Sequence, residues 1–188
     1  MTSPALALVE LSSIARGVVV ADAICKKAPV DVVRSAPVSP GKFVILFIGE
    51  VADVDESYRV AIDLAAHTLV DRLFLPNAHA QLAGVISGGK AEAPIDSIGV
   101  VETFTVAGAV LAADVAAKAA DVTLLEMRLG QSIGGKGYFT MTGTLDSVEA
   151  AVDAARRALD GALLCATEIV AAPHEDVRSR GVIWGGRG

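Results

Sequence analysis

Leu8-Val9-Glu10, followed by Ala21-Asp22-Ala23-Ile24-Cys25-Lys26-Lys27-Ala28, is the stretch on which the fold turns, because the chain writes it twice. Val100-Val101-Glu102 and Ala113-Asp114-Val115-Ala116-Ala117-Lys118-Ala119-Ala120 stand 92 positions after their counterparts, Glu102 after Glu10 and Lys118 after Lys26. Further on, Gly41-Lys42 returns as Gly135-Lys136, Gly49 as Gly143 and Val54 as Val148, now 94 positions later. One length change of two residues between Ala28 and Gly41 reconciles the halves. Solenoid repeats have periods of roughly 20–50 residues. A period this long is a whole small domain copied in tandem.

Working outward from the repeat, Leu6–Leu11 alternates and is rich in β formers, which predicts a strand. Ser12-Ser13 offers an N-cap for a helix over Ile14–Ala28, with Ile14, Val18, Ala21 and Cys25 on one apolar stripe and Pro29 ending it. Val30–Val38 and Lys42–Val51 are strands joined by the turn Ser39-Pro40-Gly41. Asp53 with Glu56 resembles a capping box and opens a helix to about His67. Leu69–Leu75 is a fourth strand, followed by Pro76-Asn77-Ala78-His79 and a short helix near Ala80–Ile86. The second half repeats the order. Its strands are Ile98–Phe104, Val122–Gly130, Gly137–Leu145 and Leu163–Ala171, with a hairpin turn at Ile133-Gly134-Gly135. Its helices are Thr105–Ala119 and one opened by Asp146 and Glu149. Ser87-Gly88-Gly89-Lys90 to Pro94 is the linker, and Val182-Ile183-Trp184 is either a short docking strand or a loose end. Each half is β-α-β-β-α-β, an α+β, ferredoxin-like order, with limits expected at 5–87 and 97–181. The sheet face opposite the helices must be either polar or covered by another subunit, and Phe43–Ile48, apolar on both sides, favours the cover.

The chain has 188 residues, 53% hydrophobic but only 4% aromatic, which suits two small domains with apolar residues to spare. That surplus means either large subunit interfaces or merely alanine-rich helices. A net charge of −6 without a basic stripe argues against nucleic acid as a partner. No apolar run approaches the ~20 residues needed to span a bilayer. Met1-Thr2-Ser3-Pro4 lacks the basic opening of a signal peptide, and two buried, reduced thiols at Cys25 and Cys165 fit a cytoplasmic protein.

In order and spacing these residues resemble the bacterial microcompartment shell domain. The matching signs are Val9-Glu10, the helix ending Ala21-Asp22 to Lys26-Lys27-Ala28, the turn Ser39-Pro40-Gly41 and Ile48-Gly49-Glu50-Val51. Their second-half partners are Val101-Glu102, Ala113-Asp114 to Lys118, Gly134-Gly135 and Thr142-Gly143-Thr144-Leu145. The resemblance covers about Leu6–His79 and Ile98–His174, in non-permuted domain order. It implies a structural tile: a homotrimer imitating a hexamer, meeting neighbouring hexamers, trimers and pentamers edge to edge, with metabolites crossing a central pore.

The family places the turn between second and third strands at the pore, which here means Ser39, Pro40, Gly41 and Ile133, Gly134, Gly135. By themselves these are also ordinary hairpin turns. Lys42 and Lys136 flank them, either as a positive pore rim or as solvated hairpin lysines. Lys26 and Lys118 match the family's edge lysines, with Asn77, His79 and His174 in the same edge region. A lysine at a helix C-terminus is also favoured by the helix dipole alone. Some tandem members hold an iron–sulfur cluster through a pore-turn cysteine; neither turn here has one, so no cluster, metal or other cofactor is expected.

Gly130-x-x-x-x-Gly135-Lys136 resembles a P-loop, but Gly137 replaces the Ser or Thr and a strand follows, so nucleotide hydrolysis is rejected. His67, His79 and His174 show no metal-ligand spacing. Glu10 and Glu102, as duplicated strand acids, are structural or pore-proximal rather than a catalytic pair. No catalytic residue is assigned. The alternative to a shell tile is a small-molecule-binding regulatory protein on duplicated ferredoxin-like domains, with an enzyme a distant third.

Overall fold

A computed structural model describes residues 4–159, 161, 163–180 and 182. The first half comprises β1 (Ala5–Leu11), α1 (Ile14–Lys27), β2 (Asp31–Val38), β3 (Lys42–Gly49), α2 (Val51–Ala65) and β4 (Leu69–Leu75). A short helix α3 (Gln81–Ile86) leads to the linker. The second half follows with β5 (Ser97–Thr103), α4 (Val106–Ala119), β6 (Thr123–Leu129), β7 (Gly137–Gly143), α5 (Leu145–Ala158), β8 (Leu164–Val170) and α6 (Glu175–Arg180). Each half forms a four-stranded antiparallel sheet, ordered β2-β3-β1-β4 and β6-β7-β5-β8. This is the split βαβ arrangement expected from the sequence. Of the tail, Ile183 and Trp184 lie outside the described residues, so the docking strand expected there is not among these elements.

Helix starts are fixed by side chains. Ser13 accepts a hydrogen bond from the Arg16 N–H, Thr105 from Gly108 and Thr144 from Ser147. Two expectations need correction here. Asp53 and Asp146 do not cap their helices; each lies inside the first turn, where a carboxylate favours the dipole. The caps are Thr144 for α5 and Glu50, without a side-chain bond, for α2.

The apolar stripe of α1 is also corrected. The helix buries Gly17, Val20 and Ile24 against its own sheet. Ile14, Val18 and Cys25 lie on the opposite, exposed face. Cys25 is therefore exposed and Cys165 half-buried, both free thiols, where two buried ones were expected.

Two hydrophobic clusters hold the chain together. One lies between the inner face of the first sheet and α1 with α2, and includes Val9, Leu11, Ile24, Ile45, Phe47 and Val54. The other crosses between the halves. It joins the outer face of the first sheet (Leu6, Leu8, Val44, Leu46, Leu73, Leu75) to α3, α4 and the second half's own core. The cover that β3 was expected to draw from another subunit is supplied instead within the chain, by its second half. Helix α4 is buried on two sides, and its run of alanines lets both sheets approach closely. Each Leu or Val so buried is worth about 1.5–3 kcal/mol relative to exposure.

The two copies have diverged in step where the first helix meets the third strand. Gly17 lies under Phe43, and a Cβ there would stand 2.7 Å from Phe43 Cβ. At the matching place in the second half the sizes are exchanged: Ala109 faces Gly137, whose added Cβ would stand 2.5 Å from that of Ala109. Gly17→Ala is expected to destabilise the chain by about 1–3 kcal/mol through overpacking. Urea denaturation checks this, with exposed Ala15→Gly as a control costing about 1 kcal/mol for helix propensity alone.

Candidate pore and seam

The contact between the halves runs along α4, whose 14 residues cover about 21 Å. At its N-terminus sits Glu10, on β1 and fully buried. One carboxylate oxygen accepts the Val106 N–H at 2.9 Å, and the other pairs with the Lys42 ammonium. Lys42 also donates to the Gly135 carbonyl at 3.0 Å. A buried carboxylate is tolerable here because a cation, a free backbone N–H and the positive end of the helix dipole all meet it. Beside it the Thr105 hydroxyl donates to Asp71 across the seam at 2.5 Å.

The two glycine turns meet at this end. Gly41 has φ +116° and Gly135 φ +78°, conformations open chiefly to glycine. A Cβ on Gly135 would strike the Ser39 carbonyl and stand 2.8 Å from Lys42 Cε. Ser39, Pro40, Gly41 and Ile133, Gly134, Gly135 therefore form one adjoining pair of loops rather than two separate hairpins. The lysines behave differently from either expectation. Lys42 is neither a free rim charge nor a solvated side chain, being bound to Glu10 and mostly buried. Lys136 pairs with Glu102 at 2.9 Å in a half-exposed copy of the same arrangement. That hydrogen bond to Glu102, with a smaller contribution from Cys165, holds its ammonium above the usual lysine range.

At the other end of α4 the candidate edge residues gather. Asp114, almost fully buried, accepts the His79 N–H at 2.7 Å and pairs with Lys118 at 2.6 Å. Lys118 donates to the Asn77 carbonyl at 2.5 Å. Lys118, Asn77 and His79 are thus one cluster. Lys26 and His174 stand apart from it: Lys26 pairs with Asp22 at 2.6 Å in the open, and His174 accepts the Asp176 N–H at 3.2 Å on α6. Sequence reasoning left Asp114 and Gln81 without roles. Gln81 bridges the seam, donating to the Val122 carbonyl at 2.9 Å and accepting the Leu124 N–H at 2.7 Å. The repeat signalled Asp114, which matches Asp22; nothing in the sequence signalled Gln81.

Among the described residues no group of three or more His, Cys, Asp or Glu could hold a metal ion. No described helix is long and apolar enough to cross a membrane. A cleft of about 600 Å³ between the linker, β6, β7 and α6 is lined by Lys90, Glu126, Thr140 and Arg178 together with apolar wall. Glu10→Ala is expected to cost about 3–5 kcal/mol, because it strands the mostly buried Lys42 without its counter-ion. The same urea titration of Arg59→Ala, which breaks the exposed Arg59–Asp55 pair, should move by under about 1 kcal/mol.

Comparison with known proteins bears on the duplicated architecture. The BMC domain matches twice, at residues 5–78 and 97–173. The bacterial microcompartment shell protein PduT of Citrobacter freundii is 38% identical over 176 residues, 93% of this chain and 96% of the relative. A crystal structure of a microcompartment protein from Desulfitobacterium hafniense is 39% identical and superposes with TM-score 0.85, covering 94% of this chain and 99% of the other. The fused permuted hexameric shell protein MSM0275 from the RMM microcompartment is 26% identical, with TM-score 0.61 over 82% and 83% of the two chains. With both halves matched and a relative aligned over almost its whole length, the chain belongs to the BMC-domain family and carries that domain twice.

Proposed function

We propose that this chain is a structural tile of a bacterial microcompartment shell, cytoplasmic and without catalysis of its own. In this reading three copies close into a plate of six domains around a central pore. The relatives supporting it are shell and microcompartment proteins. One observation carries the geometry. Helix α4 has the paired glycine turns at one end and the Lys118–Asn77–His79 cluster at the other, about 21 Å apart. A domain laid out that way points one end at an axis and the other at a perimeter. Ser39, Pro40, Gly41, Ile133, Gly134 and Gly135 then line the pore, with Lys42 and Lys136 behind them. Lys26, Lys118, Asn77, His79 and His174 then lie towards the tile edge, where neighbouring hexamers, trimers and pentamers meet it.

The pore wall proposed here is peptide backbone and small side chains. Its lysines face carboxylates, Lys42 with Glu10 and Lys136 with Glu102, so the passage suits small polar metabolites without strong selection by charge.

Light scattering should give three times the chain mass, and electron microscopy at moderate concentration should show flat sheets or tubes. A monomer or dimer, or a discrete oligomer that binds a ligand saturably and never assembles further, would overturn the reading. Lys26→Ala with Lys118→Ala is expected to weaken sheet formation while leaving the trimer intact, and unaltered sheets would remove these lysines from the edge.

A further inference from the structure

The duplication has left two versions of one corner, and they differ in kind. In the first half, α3 packs on the outer face of the sheet. Leu46, Leu82 and Val85 are buried there, and only a narrow apolar gap of about 100 Å³ remains. In the second half α6 follows the last strand as α3 does, but it buries no residue. By strand register Leu46 corresponds to Thr140, and its neighbour Arg34 to Glu126. His79 and His174 each accept the N–H of the residue two further on, which aligns α3 with α6. Ala83 then corresponds to Arg178 and Val85 to Arg180. Where the first half has an apolar plug, the second has a cleft of about 600 Å³ with polar walls. That volume falls within the roughly 300–1,000 Å³ of small-molecule sites.

Exposure does not account for the polar residues. Thr140 is 0% exposed, so contact with water cannot be the reason for its hydroxyl. Its Oγ1 has no hydrogen-bond partner among the described residues, and neither has Oε1 of its cross-strand neighbour Glu126. The Glu126 side chain is itself only 13% exposed, with Oε2 paired to Lys90 at 3.2 Å. Two unsatisfied buried oxygens side by side are costly, and both belong to residues lining one cleft. The charges around it do not cancel. Lys90, Arg178 and Arg180 stand against Glu92 and Glu126, three cations against two carboxylates. Arg178 is anchored there by its Nε, which donates to the Pro173 carbonyl at 3.0 Å.

We infer that this cleft binds a small hydroxycarboxylate. A ligand hydroxyl donates to Glu126 Oε1 and accepts from the Thr140 hydroxyl, satisfying both buried oxygens. The ligand carboxylate meets Arg178 and Arg180 and takes up the surplus positive charge. The first half, with Leu46, Ala83 and Val85 at the matching positions, offers none of these groups, so there is one site per chain. All its walls come from a single chain, and the inference stands whether or not the plate of six domains forms.

The probe is glycerate, with propionate (the carboxylate without hydroxyls) and glycerol (hydroxyls without the carboxylate) as comparisons, each titrated into the full chain by saturation-transfer NMR. Glycerate should bind saturably, and about tenfold or more tighter than either comparison. Thr140→Val keeps the shape and removes the hydroxyl. It should weaken glycerate by a similar factor while raising the urea midpoint of the ligand-free protein, because an unpaired buried hydroxyl is gone. A residue with a merely structural role would not move the two readouts in opposite senses. Arg178→Gln, on a helix that buries nothing, should lower glycerate affinity with the urea midpoint unchanged. Absence of saturable binding, equal binding of propionate or glycerol, or undiminished glycerate affinity in either variant would overturn the inference.

Discussion

Everything in this chain depends on one helix having two sheets to lie against. Helix α4 faces its own sheet on one side and the outer leucines of the first sheet on the other. Neither contact is optional. Without α4 and α3, β3 would present Val44 and Leu46 to water along with its neighbours on β1 and β4, a large apolar patch for so small a protein. Without the first half, a helix with ten buried positions of fourteen would have a face of valine and alanine and nothing to set it on. Fusion of two copies answers both needs at once, and places the two glycine turns side by side as a consequence.

The same constraint explains why the copies are not identical. The first sheet's outer face is leucine and valine, because it is covered within the chain. The second sheet's equivalent positions include the half-buried Tyr138 for Val44 and the exposed Glu168 for Leu73. A surface exposed while the chain is alone must remain compatible with water, and a purely apolar copy would invite indiscriminate association. Interfaces made between separately folded partners are generally more polar than a domain core for this reason.

Much of this was legible in the residues. The duplication, the element order and the sheet topology follow from repeat spacing and from alternation against 3.6-residue periodicity, signals carried by many residues at once. The α1 stripe was legible too, but its meaning was not. Ile14, Val18, Ala21 and Cys25 have helical spacing, and so do Gly17, Val20 and Ile24; periodicity marks both faces without saying which one meets the helix's own sheet. The presence of Gly17 beneath Phe43 decides it, and that pairing lies between elements distant in sequence. The lysines illustrate the same limit. Lys42 beside a Pro-Gly turn looks solvated, and only the three-dimensional return of β1 puts Glu10 against it. Helix caps were misplaced, by three positions at α2 and two at α5, because Asp53 and Asp146 satisfy the composition of a first turn as well as that of a cap.

The burial of Glu10 carries a further implication for what the turns can do. A carboxylate removed from water costs several kcal/mol unless it is met by charge and by hydrogen bonds. Glu10 recovers that cost from groups on both sides of the seam: Lys42 from its own half, and Val106 N–H with the α4 dipole from the other. Lys42 in turn is anchored to Gly135 of the opposite turn. The position of one glycine turn relative to the other is therefore set by an ion pair that neither half could keep buried alone. A local shift of either turn would separate charges in a poorly hydrated place, so the pair of turns resists independent movement. Any opening of a passage bordered by them would have to come from whole domains turning about the seam rather than from a loop swinging aside.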